Sequence, residues 1–197
     1  MTIIIPDSRV AKEASKLVYE ISPEFLYNHC LRTYAFGDAL GRTYGFKYDR
    51  ELFYLGAVLH DVGFTDHVCR KCSFEYEGAD HAETFLRSHN LPQEKIDIVR
   101  EAIMLHTSEL AGEKQPEIAL VHFGAAMDVV GARIEDISEE AFHFILEAYP
   151  RLGFKQAFVE LVKYDAQLKH GQDPNNLSSS MLRRGFVDWV TNAPFSE

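Results

Sequence analysis

The chain has 197 residues, 46% of them hydrophobic, 12% aromatic and 25% charged, with 20 Lys+Arg against 30 Asp+Glu for a net charge of −10. That length buries a full core in one domain, and the composition excludes a disordered or fibrous chain. The acidic balance, with no Lys/Arg cluster, argues against nucleic acid and anionic membranes as partners, and no apolar run reaches the roughly 20 residues needed to cross a bilayer.

The opening Met1-Thr2-Ile3-Ile4-Ile5-Pro6 lacks the cationic and long apolar regions of a secretory signal, so the chain reads as cytoplasmic. Its three cysteines, Cys30, Cys69 and Cys72, are too few and too odd for a disulfide framework. Almost every segment has helical period. Val10, Ala14, Leu17 and Val18 mark one face between Pro6 and Glu20, and Ser22-Pro23 reads as an N-cap followed by proline in the first helical position. The next helix carries Phe25, His29, Thr33, Phe36, Leu40 and Tyr44 at spacings of 4, 4, 3, 4 and 4. Asp49 is placed to cap a helix running through Leu52, Leu55, Gly56 and Leu59 to His60-Asp61, and Gly63 permits the chain to turn out of it. Residues 64–78 are irregular and read as an active-site loop.

Helices resume over roughly 79–89 and after Leu91-Pro92, where Ile96, Val99, Ile103 and His106 share a face. Gln115-Pro116 opens another, with Ile118, Val121, Ala125 and Asp128 in phase. Ser138 caps a helix ending at Pro150, Gly153 to His170 makes one more, 172–180 reads as a loop, and a short helix holds Phe186 and Trp189. There is no internal repeat and no domain-sized linker. The expected fold is an all-α bundle of about seven to nine helices.

Three of these apolar faces carry polar residues, His29, His106 and Asp128. Burying an unpaired carboxylate costs several kcal/mol, so an inward Asp needs a partner, and a divalent metal is one. His60-Asp61 at a helix end supplies further ligands. His29, His60, Asp61 and Asp128 then offer two imidazoles and two carboxylates, a set suited to Fe, Mn, Zn or Co rather than Ca, with positions left open for water and substrate.

This order, His…His-Asp…Asp, resembles the HD-domain superfamily of metal-dependent hydrolases. The matching text is Asn28-His29-Cys30-Leu31-Arg32-Thr33-Tyr34, then Ala57-Val58-Leu59-His60-Asp61-Val62-Gly63, then Asp128 within Gly124-Ala125-Ala126-Met127-Asp128-Val129-Val130-Gly131. Within that superfamily the chain is most similar to the cyanamide hydratase-like branch, through Phe74-Glu75 before Gly78-Ala79, Leu105-His106-Thr107-Ser108 and Asn192-Ala193-Pro194-Phe195. The resemblance spans nearly the whole chain. It implies a single HD domain over 1–197, with a core of roughly 24–131 and helices of 138–197 packing on it. It also implies a metal on His29, His60, Asp61 and Asp128 that activates water against a small-molecule substrate, with Asp61 orienting that water or relaying its proton.

The branch implies nitrile-type hydration, cyanamide to urea; the wider superfamily implies instead hydrolysis of a nucleotide or other small phosphate ester. His81 and His106 complete an order that some dinuclear members use for a second metal. With one metal, the reading favoured here, His106 becomes a substrate or proton-transfer partner, and Thr107 beside it joins the substrate side. Arg32, one turn from His29, is placed to hold a substrate anion or anchor Asp61. The alternative enzyme-free reading is a metal-binding sensor module.

Blander readings stand beside these. Asp128 pairs instead with a buried arginine, Arg32 or Arg133. Cys69-Arg70-Lys71-Cys72 has no second pair at zinc-ribbon spacing and reads as chance thiols in a loop. His67, His89, His122, His143 and His170 lack a matching context and read as surface or supporting residues. The oligomeric state is not legible in the sequence.

Overall fold

A computed structural model describes residues 2–68, 72–170 and 176–197. Among these residues the structure is helical throughout, with no strand, and no helix is long and apolar enough to cross a membrane. The α-helices are α1 (Arg9–Ile21), α2 (Glu24–Thr43), α3 (Arg50–Leu59), α4 (Phe74–Ser88), α5 (Gln93–Leu105), α6 (Pro116–Val130), α7 (Glu139–Ala148), α8 (Phe154–His170), α9 (Leu177–Arg183) and α10 (Phe186–Thr191). Short 3₁₀ turns follow α3, α5 and α6.

Helix boundaries follow side-chain chemistry. Asp49 accepts hydrogen bonds from the backbone N–H groups of Glu51 and Leu52, and Ser138 accepts one from Ala141, satisfying donors that each helix start leaves free. Ser22-Pro23 behaves differently from expectation. Ser22 closes α1 through its own N–H, Pro23 takes the cap position of α2, and no side chain caps that start. Gly63 is also not a left-handed helix stop. A Cβ there would lie 1.9 Å from the carbonyl oxygen of Phe74, so the missing side chain lets α4 pack onto the turn after α3.

The irregular segment is shorter than the sequence suggests, because α4 begins at Phe74 rather than near residue 79. Cys69, Arg70, Lys71 and residues 171–175 lie outside the described residues; Cys72 is exposed. The serine-rich stretch after Asn176 is helix α9, not loop. Asn176 caps it through Ser179, and Ser178 donates to Asp165 of α8 at 2.6 Å.

Helix α2 is buried on nearly all sides and packs along α6 and against α3, α7 and α8. The α2–α6 crossing is close because glycines face backbone: a Cβ on Gly124 would stand 2.0 Å from the Thr33 carbonyl oxygen, and one on Gly37 would stand 2.6 Å from that of Leu120. This contact fixes His29 of α2 against Asp128 of α6. A main core joins α1–α3 with α5 and α6. A second, aromatic cluster of Phe64, Phe74, Phe154, Phe158 and Phe186 covers the end where His29, His60 and His106 converge.

Candidate metal centre

Each histidine is held by its Nδ1. His60, just past α3, donates from Nδ1 to the Ala57 carbonyl at 2.7 Å, and His106, just past α5, does the same to Ile103 at 2.6 Å. A carbonyl oxygen can only accept, so both Nδ1 atoms carry hydrogen and the neutral rings turn an Nε2 lone pair away from the backbone. His29 follows the same rule, with Nδ1 2.6 Å from Asp128 Oδ2.

The three Nε2 atoms converge on Asp61. His29 and His60 Nε2 lie 3.4 Å from Asp61 Oδ2, His106 Nε2 lies 3.5 Å from Oδ1, and the Nε2 atoms of His29 and His60 are 3.2 Å apart. The contacts to Asp61 are long for hydrogen bonds. Both Asp61 oxygens are buried without a hydrogen-bond partner. Lone pairs facing a buried carboxylate repel one another unless a cation sits among them. The separations match the roughly 3.0–3.4 Å between donors that are each about 2.0–2.2 Å from one ion. His29, His60 and Asp61 are the metal-capable group found among the described residues, and all three are buried. The donor set and its orphaned oxygens therefore fit a divalent transition metal.

Asp128 does not join this group. It lies on the other side of the His29 ring, and its oxygens are engaged by the protein. Arg32 donates from Nε to Oδ1 at 2.7 Å and from Nη2 to Oδ2 at 2.9 Å, and Arg151 Nη1 donates to Oδ1 at 2.9 Å. Burial works against its charge, yet Arg32 and His29 hold the Asp128 carboxyl below the usual carboxylate range. The expectation of Asp128 as a fourth ligand is thus not met by this geometry, and the pairing with Arg32 is what the structure contains. Arg32 is itself fully buried; it neither anchors Asp61 nor stands open to a substrate anion. Arg133 points elsewhere, over the ring of Phe123.

His81 is half-buried on α4, outside the group, so the structure brings no second cluster together around it among the described residues. Thr107 donates from Oγ1 to Glu75 Oε1 at 2.8 Å. Of the other histidines, His122 donates to the His106 carbonyl at 2.8 Å and so supports that turn, whereas His89 pairs with Glu13 at 2.6 Å, remote from the site in chain and role.

Three contributions were not legible in the sequence. Arg151 follows a helix and a proline, with no pattern to mark it as inward-facing. The rings of Phe154 and Phe158 lie 4.9 and 5.4 Å from His29; with Phe74, which the sequence does mark as core or pocket wall and which lies 5.6 Å from His106, they close the site in aromatic walls. Glu75, only 5% exposed, sits beside Thr107; its place next to Phe74 was visible, but not its burial.

The HD domain family matches this chain over residues 26–149, more than half its length. Two curated proteins of Saccharomyces cerevisiae (strain ATCC 204508 / S288c), cyanamide hydratase DDI2 and cyanamide hydratase DDI3, are each 29% identical over 182 residues, covering 87% of this chain and 81% of the relative. With the family match falling across the residues that carry the buried His-His-Asp group, the chain belongs to the HD domain family and is a metal-dependent hydrolase or hydratase.

Proposed function

We propose that the chain hydrates a small, uncharged nitrile-type molecule, cyanamide to urea, at one divalent transition metal held by His29, His60 and Asp61. Iron, manganese, zinc and cobalt all suit an imidazole–carboxylate set. When bound, such an ion lowers the pKa of water and polarises an electrophilic carbon.

The chain's own groups do the rest. Asp128 receives the Nδ1 hydrogen of His29 and keeps Nε2 aimed at Asp61, while Arg32 and Arg151 keep Asp128 ionised. The Ala57 carbonyl does the same for His60. His106 faces Asp61 with a free Nε2 and is the group placed to pass one proton from the attacking water to the nitrile nitrogen as the C–O bond forms and one C–N π bond opens, giving an isourea whose hydroxyl proton then moves to nitrogen to make urea. Phe64, Phe74, Phe154 and Phe158, none more than 4% exposed, keep bulk water out.

The observation that carries this reading is the aromatic enclosure, whose cations among the described residues are already committed. Arg32 and Arg151 both lie over the ring of Phe154 and are bound to Asp128. A phosphate ester would bring anionic oxygens into apolar walls, whereas a linear neutral nitrile fits them. The activity named for the two yeast relatives supports the same reading. The test is to load the protein with each metal and follow urea release from cyanamide beside phosphate release from a generic phosphodiester and a nucleotide panel. Urea with silent phosphate arms is expected; phosphate release without urea overturns the proposal.

A further inference from the structure

Two buried carboxylates at this site have oxygens without donors, and the ion accounts for only one. Glu75 lies in the first turn of α4 and is 5% exposed. Its Oε1 accepts from Thr107 at 2.8 Å, and its Oε2 is buried with no hydrogen-bond partner. Glu75 is not part of the metal-capable group. Yet it belongs to the site: Thr107 is the covalent neighbour of His106, and Phe74 stacks at 3.9 Å on Phe64 while also lying against the His106 ring. Its negative charge also acts on His106. A buried oxygen of this kind costs several kcal/mol if nothing donates to it, and such an oxygen in a native site calls for an explanation.

We infer that Glu75 Oε2 is a substrate-binding atom that accepts a hydrogen bond from an N–H carried on the nitrile carbon. The inference rests on the nitrile-hydrating reading and narrows it. Thr107 occupies one oxygen and fixes the carboxylate, so the other is left for the amino group of a cyanamide. An alkyl nitrile of the same size, with a methyl in place of the amino group, finds an unmatched charge instead. Binding is non-covalent, and no proton changes owner in it.

The test compares cyanamide with acetonitrile, near-isosteres that differ in the N–H. Calorimetry on metal-loaded wild type, Glu75→Gln and Glu75→Leu gives KM from the heat of turnover where a nitrile is hydrated and Kd where it is not, with metal content and thermal unfolding checked for each. Wild type is expected to bind cyanamide at least about tenfold tighter than acetonitrile, as the loss of a charge-assisted hydrogen bond implies. Glu75→Leu should erase most of that preference, and Glu75→Gln, with a neutral acceptor, should fall between; acetonitrile binding should change less than about twofold. Should Glu75→Leu fail to fold, Glu75→Gln decides. An equal loss for both ligands, an unchanged preference, or wild type binding neither would overturn the inference. Urea formed at equal rates by all three proteins leaves the nitrile reading standing and removes this one. A Glu75-dependent preference without any urea does the reverse.

Discussion

Asp61 and Asp128 are both fully buried, both face the ring of His29, and could hardly differ more in their partners. Asp128 meets four donors: His29 Nδ1, two nitrogens of Arg32 and one of Arg151. Asp61 meets none at hydrogen-bond distance and faces three imidazole nitrogens. Burial penalises each charge, and Arg32 and His29 hold Asp128 below the usual carboxylate range. The difference lies in where the positive charge comes from. Around Asp128 the chain supplies it; around Asp61 the chain supplies only further donors of electron pairs, and a cation has to be added from outside. Buried carboxylates alike in exposure are thereby told apart by the hydrogens pointing at them.

The sharpest way to break this contrast is Asp61→Asn. Loss of the metal and a fall in turnover of more than about a thousandfold are expected, because the acidity of water reverts toward its bulk value. In metal-free protein the sign reverses for stability. Removing an uncompensated buried charge should raise stability by about 1–3 kcal/mol relative to metal-free wild type. Urea unfolding after chelation measures both proteins under one condition, and a lower midpoint for Asp61→Asn would show that the histidines already satisfy that carboxylate.

Asp128→Asn should act on the other side of the comparison. It leaves buried Arg32 without its carboxylate and Arg151 with Glu197 alone, at a cost of about 3–5 kcal/mol with or without metal. Metal affinity should drop only about 10- to 100-fold, the range for a carboxylate that orients a ligating imidazole. Denaturant titration and competition with a chelator separate the two quantities. Complete loss of metal at full stability would make Asp128 a ligand after all.

The His-Asp order and the helical periods made the family, the all-α class and the inward direction of His29, His106 and Asp128 legible. What periodicity could not say was which partner each inward polar group meets. Asp128 in phase with Ile118, Val121 and Ala125 has to be buried, but a metal and an arginine satisfy that demand equally, and Arg32 lies 96 residues away. Helix α9 was hidden for a different reason: serine and asparagine favour turns, and the helix is held by the Asn176 cap and by Asp165 of a neighbouring helix. Gly63 and Gly124 were visible as glycines, but their role is set by backbone from elsewhere in the chain, Phe74 and Thr33.

The mildest test separates the two arginines that hold Asp128. Arg32 grips both carboxylate oxygens with two nitrogens, so a lysine there cannot reproduce the bidentate pair. Arg151 reaches Asp128 through one nitrogen, Nη1, which donates to Oδ1 at 2.9 Å and to the backbone oxygen at 3.1 Å. A lysine ammonium can supply that single-point contact. What it gives up is the pairing of Nε with Glu197 and the stacking of the guanidinium 4.8 and 4.1 Å from the rings of Phe154 and Phe195. Arg151→Lys should therefore cost about 1–2 kcal/mol of stability, and metal affinity should stay within about threefold of wild type because the charge beside Asp128 is kept. Thermal unfolding and chelator competition on the same samples read both. If metal were lost as is expected for Asp61→Asn, Asp128 would have to act on the ion directly, with Arg151 setting its charge, and the contrast between the two carboxylates would fail.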